Sequence, residues 1–192
     1  MIEMCVVNAS PLIFLSRAGH VELLRASAAH VRVPQPVADE LRARGADDVT
    51  ANELNSSRWL EITKPPPIPP GIIQWGLGPG ESEVLAESLR LPGSYAVIDD
   101  LAARKCAAAL GIPVIGTLGI VLRARKQDVI PAARPVMEDL LRGGMFLSKP
   151  LLDRALALVG EEPLTSLFFR SERRRAARRA GGESQISRSV KR

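Results

Sequence analysis

Short apolar runs alternate with amphipathic stretches from the start of the chain to about residue 160. Residues 4–7 read as a short buried strand. The turn Asn8-Ala9-Ser10-Pro11 leads into a helix, with Ser10 the expected cap and Pro11 the first helical residue, where a missing N–H costs nothing. A brief helical piece over 20–25 and a second strand over 31–33 come next, then a helix over 36–44 that Gly45 closes. Residues 47–56 are weakly amphipathic and helical, and 59–62 form a third strand. The segment 64–71 holds five prolines, which excludes regular helix and central strand and leaves a stiff connector of polyproline character. The flexible loop Gly76-Leu77-Gly78-Pro79-Gly80 releases into a helix over 81–90. A fourth strand over 95–98, a helix over 99–110 stopped by Gly111, and a fifth strand over 113–115 complete the alternation, and two or three further helices end near Val159 and Gly160.

Alternating strands and helices predict an α/β fold, a central, mostly parallel sheet with helices on both faces and right-handed crossovers. Composition agrees: 46% of residues are hydrophobic and only 4% aromatic, so the core is built from Leu, Val, Ile and Ala, whereas sandwiches and barrels usually draw on more aromatics. A chain of 192 residues buries an adequate core as one domain, here residues 1–160. The formal charge of +5 belongs to the remainder, 161–192: between Arg170 and Arg192, nine Lys or Arg face Glu172 and Glu183, leaving that stretch at +7 and residues 1–169 at −2. Arg, Ser and Gly without apolar periodicity predict disorder there, and a flexible arm adding salt-dependent affinity for RNA or DNA. The mildly acidic body argues against a broad basic nucleic-acid surface and leaves open a local basic path around an acidic pocket. Cys5 and Cys106 lie in apolar runs at no metal-ligand spacing and read as small buried residues. No run approaches the roughly 20 apolar residues of a membrane span, so a cytoplasmic protein is expected.

In a parallel sheet, ligands bind beyond the C-terminal ends of the strands. Asn8 and Asp99 stand at such ends, Asp100 beside the latter, while Glu40, Glu81 and Glu83 sit on helices able to lean over the same crevice. Scattered oxygen donors of this kind are what a chain supplies to hold Mg²⁺ or Mn²⁺. Singly, each has a plainer explanation. Asn8 suits any strand-to-helix turn, Glu40 an exposed helix face, Glu81 and Glu83 the positive end of a helix dipole, and Asp99 or Asp100 a helix cap. Arg104 and Lys105 suit phosphate or a neighbouring acid, and Thr117 suits substrate, a metal-bound water or a cap. His20 and His30 have no partner at ligand spacing.

The ordered set shifts the balance. Val6-Val7-Asn8-Ala9-Ser10-Pro11-Leu12-Ile13, Val37-Ala38-Asp39-Glu40-Leu41, Gly78-Pro79-Gly80-Glu81-Ser82-Glu83 and Val97-Ile98-Asp99-Asp100-Leu101-Ala102-Ala103-Arg104 together resemble the PIN-domain family. With Gly111-Ile112-Pro113-Val114-Ile115-Gly116-Thr117-Leu118-Gly119 the chain is similar to a prokaryotic branch of PIN-like proteins, over roughly residues 4 to 160. The resemblance implies a Rossmann-like, three-layer α/β/α fold. It also implies a ribonuclease dependent on Mg²⁺ or Mn²⁺, often the toxin of a toxin–antitoxin pair. Its expected partners are an RNA substrate, a small antitoxin protein and a second copy of the chain. Carried over position by position, Asn8 stands where the family places its first Asp and Glu40 matches the second acid. Glu83, with Glu81 in competition, matches the third, and Asp99, with Asp100 sharing, the fourth. Ser10 resembles the hydroxyl that follows the first acid and touches it or phosphate. Catalysis is therefore expected of Glu40, Glu83 and Asp99, and substrate contact of Ser10, Arg104 and Thr117. An amide at position 8 ligates without contributing charge, which favours the alternative of a PIN-like protein that binds RNA or a partner without cutting. A phosphoacceptor receiver domain also gathers acids at strand ends, but with its acidic pair at the first strand, an order this chain does not have.

Overall fold

Five strands, β1 (Ile2–Val7), β2 (Ala28–Pro34), β3 (Leu60–Thr63), β4 (Tyr95–Val97) and β5 (Val114–Ile115), pair side by side in the order β3-β2-β1-β4-β5, all parallel. The computed structural model describes residues 2–163. Cys5, Val6 and Val7 in the central strand are at most 1% exposed because both faces of a parallel sheet are covered by helices. The layers are supplied by α1 (Ala9–Arg17), α2 (Glu22–Ser27), α3 (Gln35–Arg42), α4 (Val49–Ser56), α5 (Pro70–Ile73), α6 (Pro79–Arg90), α7 (Leu101–Ala109), α8 (Thr117–Lys126), α9 (Ala133–Arg142) and α10 (Lys149–Ala157). The result is the expected three-layer α/β/α fold. Among the described residues no helix is long and apolar enough to cross a membrane.

The differences from the sequence reading lie at element ends. β1 and β2 extend further toward their N-termini because Ile2 pairs with Ala28 and Met4 with His30, ladder bonds that override the modest strand preference of alanine. Asn8, not Ser10, is the N-cap residue of α1, and Pro11 is the third helical residue. Its missing N–H is harmless there, since the first turn has no acceptor for that group. Proline also opens two other helices, one of which, α5, is a single turn that the sequence reading did not contain. Pro70 leaves the connector to open the single turn of α5, and Pro79 rather than Glu81 begins α6. Asp99 stays outside α7, whose cap is Asp100. Both cysteines are free and buried, and burial pushes the Cys5 thiol up to about 12, in keeping with a packing role.

Two polar anchors escaped the hydrophobic pattern. Glu87 on α6 is 1% exposed, yet its carboxylate accepts from Arg32 Nη1 of β2 at 3.1 Å and from Thr63 Oγ1 of β3 at 2.8 Å, tying the helix to two strands. Glu161, assigned by the sequence reading to the tail, belongs to the body. Its two oxygens accept from the backbone N–H groups of Ala133 at 2.7 Å and Arg134 at 2.9 Å, capping α9 from a distance in sequence. The Arg134 guanidinium donates to the carbonyls of Glu162 and Pro163. The rest of the basic tail, expected to be disordered, lies outside the described residues.

Removing one member of a buried ion pair strands the other charge. Arg32→Met is therefore expected to lower unfolding free energy by about 2 kcal/mol, below the usual cost of such a loss because Thr63 and partial solvent access remain. A urea denaturation midpoint equal to that of wild type would show that Glu87 does not need Arg32.

Candidate active site

The strand order sets the position of the crevice. The chain leaves β1 toward β2 and leaves β4 toward β5, so the connections diverge from this central pair and open a gap beyond its C-terminal ends. Asn8 follows β1 directly and its backbone N–H donates to the Val97 carbonyl at 3.1 Å, placing the end of one strand against the other. α1, α3, α7 and α8 each start just after a strand at this edge, and the first turn of α6 reaches Asn8. Several helix N-termini thus point positive dipole ends at the same gap, which favours carboxylates and other anions there.

Around Gly80, on α6, three predicted residues meet. A Cβ on Gly80 would lie 2.9 Å from Asn8 Oδ1, 3.4 Å from Val37 Cγ2 and 3.7 Å from Glu40 Oε2. Only a residue without a side chain lets α6 come this close to β1 and α3. Asn8 is 4% exposed, and its Nδ2 donates to Glu81 Oε1 at 3.2 Å. The Glu81 carboxylate folds back over Gly78, while Glu40 is exposed at the rim. Glu83 is half-buried, with Oε2 shielded from solvent and lacking a hydrogen-bond partner. Desolvation by burial pushes its carboxyl above the ordinary glutamate range.

A second group forms around Gly116. Asp99 accepts from the Thr117 N–H at Oδ1, 2.8 Å, and from the Thr117 hydroxyl at Oδ2, 2.6 Å. Thr117 is fully buried and spends its hydroxyl on Asp99, so its role here is to hold that carboxylate. A Cβ on Gly116 would sit 2.8 Å from Asp99 Oδ1 and 3.1 Å from Arg104 Nη1, so this glycine keeps open the space between acid and base. Arg104 Nη1 also donates to the Ile98 carbonyl at 3.2 Å, bracing the end of β4. Asp100 is exposed and caps α7 by accepting from the Ala103 N–H at 2.8 Å. Ser10 is half-buried in the first turn of α1, and no hydrogen bond of its side chain defines a role.

The crevice therefore gathers Asn8, Glu40 and Glu81 at one point and Asp99, Thr117 and Arg104 at the neighbouring strand end, with Glu83 on the same first stretch of α6. The sequence reading missed Gly80 and Gly116. Their signal was present, a glycine just before a predicted site residue at a helix start (Glu81 after Gly80, Thr117 after Gly116), but it reads equally as loop flexibility. Among the described residues, no three His, Cys, Asp or Glu side chains lie close enough together to enclose a metal ion. The donor set still fits a hard cation. The unpartnered Glu83 oxygen and the Asn8 amide oxygen are oxygen donors, and Mg²⁺ commonly keeps several waters while resting on one or two carboxylates.

Two substitutions check this account. A carboxyl whose pKa is raised on folding weakens the folded state once pH exceeds the ordinary glutamate value of about 4.3. Glu83→Gln is accordingly expected to raise the melting temperature at pH 7 and to leave it unchanged near pH 4; a gain equal at both values would rule out desolvation as the cause. Asn8→Asp sets a second carboxylate against Glu81, so in EDTA the melting temperature should fall. Added Mn²⁺ should then stabilise this variant more than it stabilises wild type, and equal metal shifts would refute the amide's role in relieving charge.

Compared with known protein families, the chain is matched over residues 4–161 by the model of a family described as a PIN domain.

Proposed function

The chain belongs to the PIN-domain family, whose members are generally nucleases, and on that premise we propose that it is an endoribonuclease dependent on Mg²⁺ or Mn²⁺. The observation that carries this reading is the pairing of two prepared oxygen groups at one switch point. Asp99 is held at both oxygens by Thr117, and Glu81 is held by Asn8 on the adjoining strand end. Asp99 and Glu81, with Asn8 as a neutral oxygen donor, are the residues that would hold a divalent ion, and such an ion would supply a polarised water and offset charge that develops during hydrolysis of a phosphodiester. The chain's own residues do the positioning. Thr117 removes the rotational freedom of Asp99, Asn8 orients Glu81, and Glu40 and Glu83 complete the acidic rim. Arg104 stands across Gly116 from Asp99, where a phosphate oxygen entering the gap would meet positive charge. Helix N-termini favour the same phosphate.

The biological setting we propose is that of a toxin restrained by a small antitoxin protein, with a second copy of the chain as a further partner and the cytoplasm as the place of action. A second reading has an observation of its own. Asn8 donates its amide to Glu81, so this acid has a partner without a cation, as suits a PIN-like protein that binds RNA or a partner without cutting.

Cleavage of a structured RNA in Mn²⁺, Mg²⁺ or EDTA, run beside a Glu40→Gln, Asp99→Asn double variant, separates the two. Metal-dependent cutting that is lost in the folded double variant is expected. Intact RNA after incubation with folded wild-type protein, across several substrates and both metals, would turn the assignment to the non-cutting binder.

A further inference from the structure

The strap that leads into the acidic crevice carries an exposed tryptophan on a rigid mount. Trp75 is 36% exposed and packs outside the hydrophobic core, in a chain with two tryptophans in all. Its neighbours fix it from both sides. Ile72 in α5 is fully buried, Leu77 packs on the core, and the N–H groups of Trp75 and Gly76 donate to the carbonyls of Ile72 and Ile73 at 3.0 Å each. Three residues further on is Gly78, covered by the Glu81 carboxylate, so the Trp75 backbone lies within about 11 Å of the edge of the site. With its backbone held in a hydrogen-bonded turn, the indole has only two side-chain torsions to order when it meets a ligand.

Charge makes that mount useful. Residues 1–169 carry a net −2, and the crevice itself is lined with acids, so phosphate attraction alone gives the body little hold on a nucleic acid. Stacking on an aromatic face does not depend on charge, and unpaired bases are the part of RNA that offers it. We propose that Trp75 is the stacking platform for an unpaired base next to the bond presented to the crevice. This rests on the reading of the crevice as a ribonuclease site and deepens it.

The test is binding of a fluorescently labelled, short single-stranded RNA, followed by anisotropy in EDTA so that nothing is cut. Trp75→Ala is expected to weaken binding by about tenfold and Trp75→Phe by much less, within the range that alanine substitution of stacking aromatics gives. In a Trp59→Phe protein, Trp75 is the sole tryptophan, and its emission should be quenched by the single strand but not by the same sequence as a duplex. Unchanged affinity in Trp75→Ala, equal loss in Trp75→Phe, or no binding by wild type overturns the proposal. So does an emission change with protein concentration alone, which would place the indole between copies of the chain. Cleavage is scored separately. Wild type that binds through Trp75 yet cuts nothing in Mn²⁺ defeats the nuclease reading and keeps the platform; metal-dependent cutting with Trp75→Ala binding unchanged defeats only the platform.

Discussion

Pairing of β1 with β4 is the constraint on which the rest of the molecule hangs. Cys5, Val6 and Val7 align with Tyr95, Ala96 and Val97, and the Asn8 N–H extends the ladder by one more bond to Val97. Because side chains alternate along a strand whose two faces are both buried, a slip of one residue would exchange the side chains that the two helix layers pack against and take Asn8 away from Val97. With the register held, Asn8 leaves β1 beside Ile98 and Asp99 follows one residue further along the neighbouring strand, and the diverging crossovers leave the space above them open. The helices that follow are then obliged to start at that rim.

Gathering acids at one rim costs electrostatic energy, and the fold offsets it locally rather than by one opposing charge. Helix N-termini supply partial positive charge. Thr117 satisfies both oxygens of Asp99, Asp100 is spent on the cap of α7, and the Asn8 amide gives Glu81 a donor where a carboxylate would have given it a repulsive neighbour. Glu83 is the exception, half-buried with one oxygen unsatisfied. An unpartnered, shielded carboxylate oxygen is a group from which a cation gains more than it would from the same carboxylate in water. The glycines are part of the same arrangement, since a methyl group at residue 80 or 116 would press on Asn8 or Asp99.

The fold was legible in the sequence because its signals are local. Runs such as Cys5-Val6-Val7 and Ala96-Val97-Ile98 are apolar without interruption, and prolines and glycines mark the turns between them. All five strands stand where the hydrophobic pattern put them, with ends displaced where ladder bonds or a proline at the first helical position outweighed propensity. Family resemblance ordered the acids, but their partners were out of reach of any local rule. Asn8 and Glu81 are 73 residues apart, Asp99 and Thr117 are 18 apart, and the Arg32–Glu87 pair spans 55. Nothing in the residues around Glu87 distinguishes it from a solvated helix acid, because its burial is decided by where β2 and β3 place Arg32 and Thr63. Glu161 is similar: it reads as the first acid of a polar tail until α9 is seen to begin beside it.

That distant cap also orients the molecule electrically. Arg125 of α8 lies 3.5 Å from Glu161, so the end of the described chain is fastened near the C-terminus of α8, whose last turn also carries Arg123 and Lys126. The N-terminus of the same helix holds Asp99. One helix of ten residues, about 15 Å long, therefore separates an acidic pole from a basic one. The +7 carried between Arg170 and Arg192 follows in sequence from the basic pole. A local field of that sense attracts anions to the Arg123 and Lys126 end and repels them from the Asp99 end, so an anion reaches the acids only where other positive groups, such as Arg104 and the helix N-termini, offset their charge.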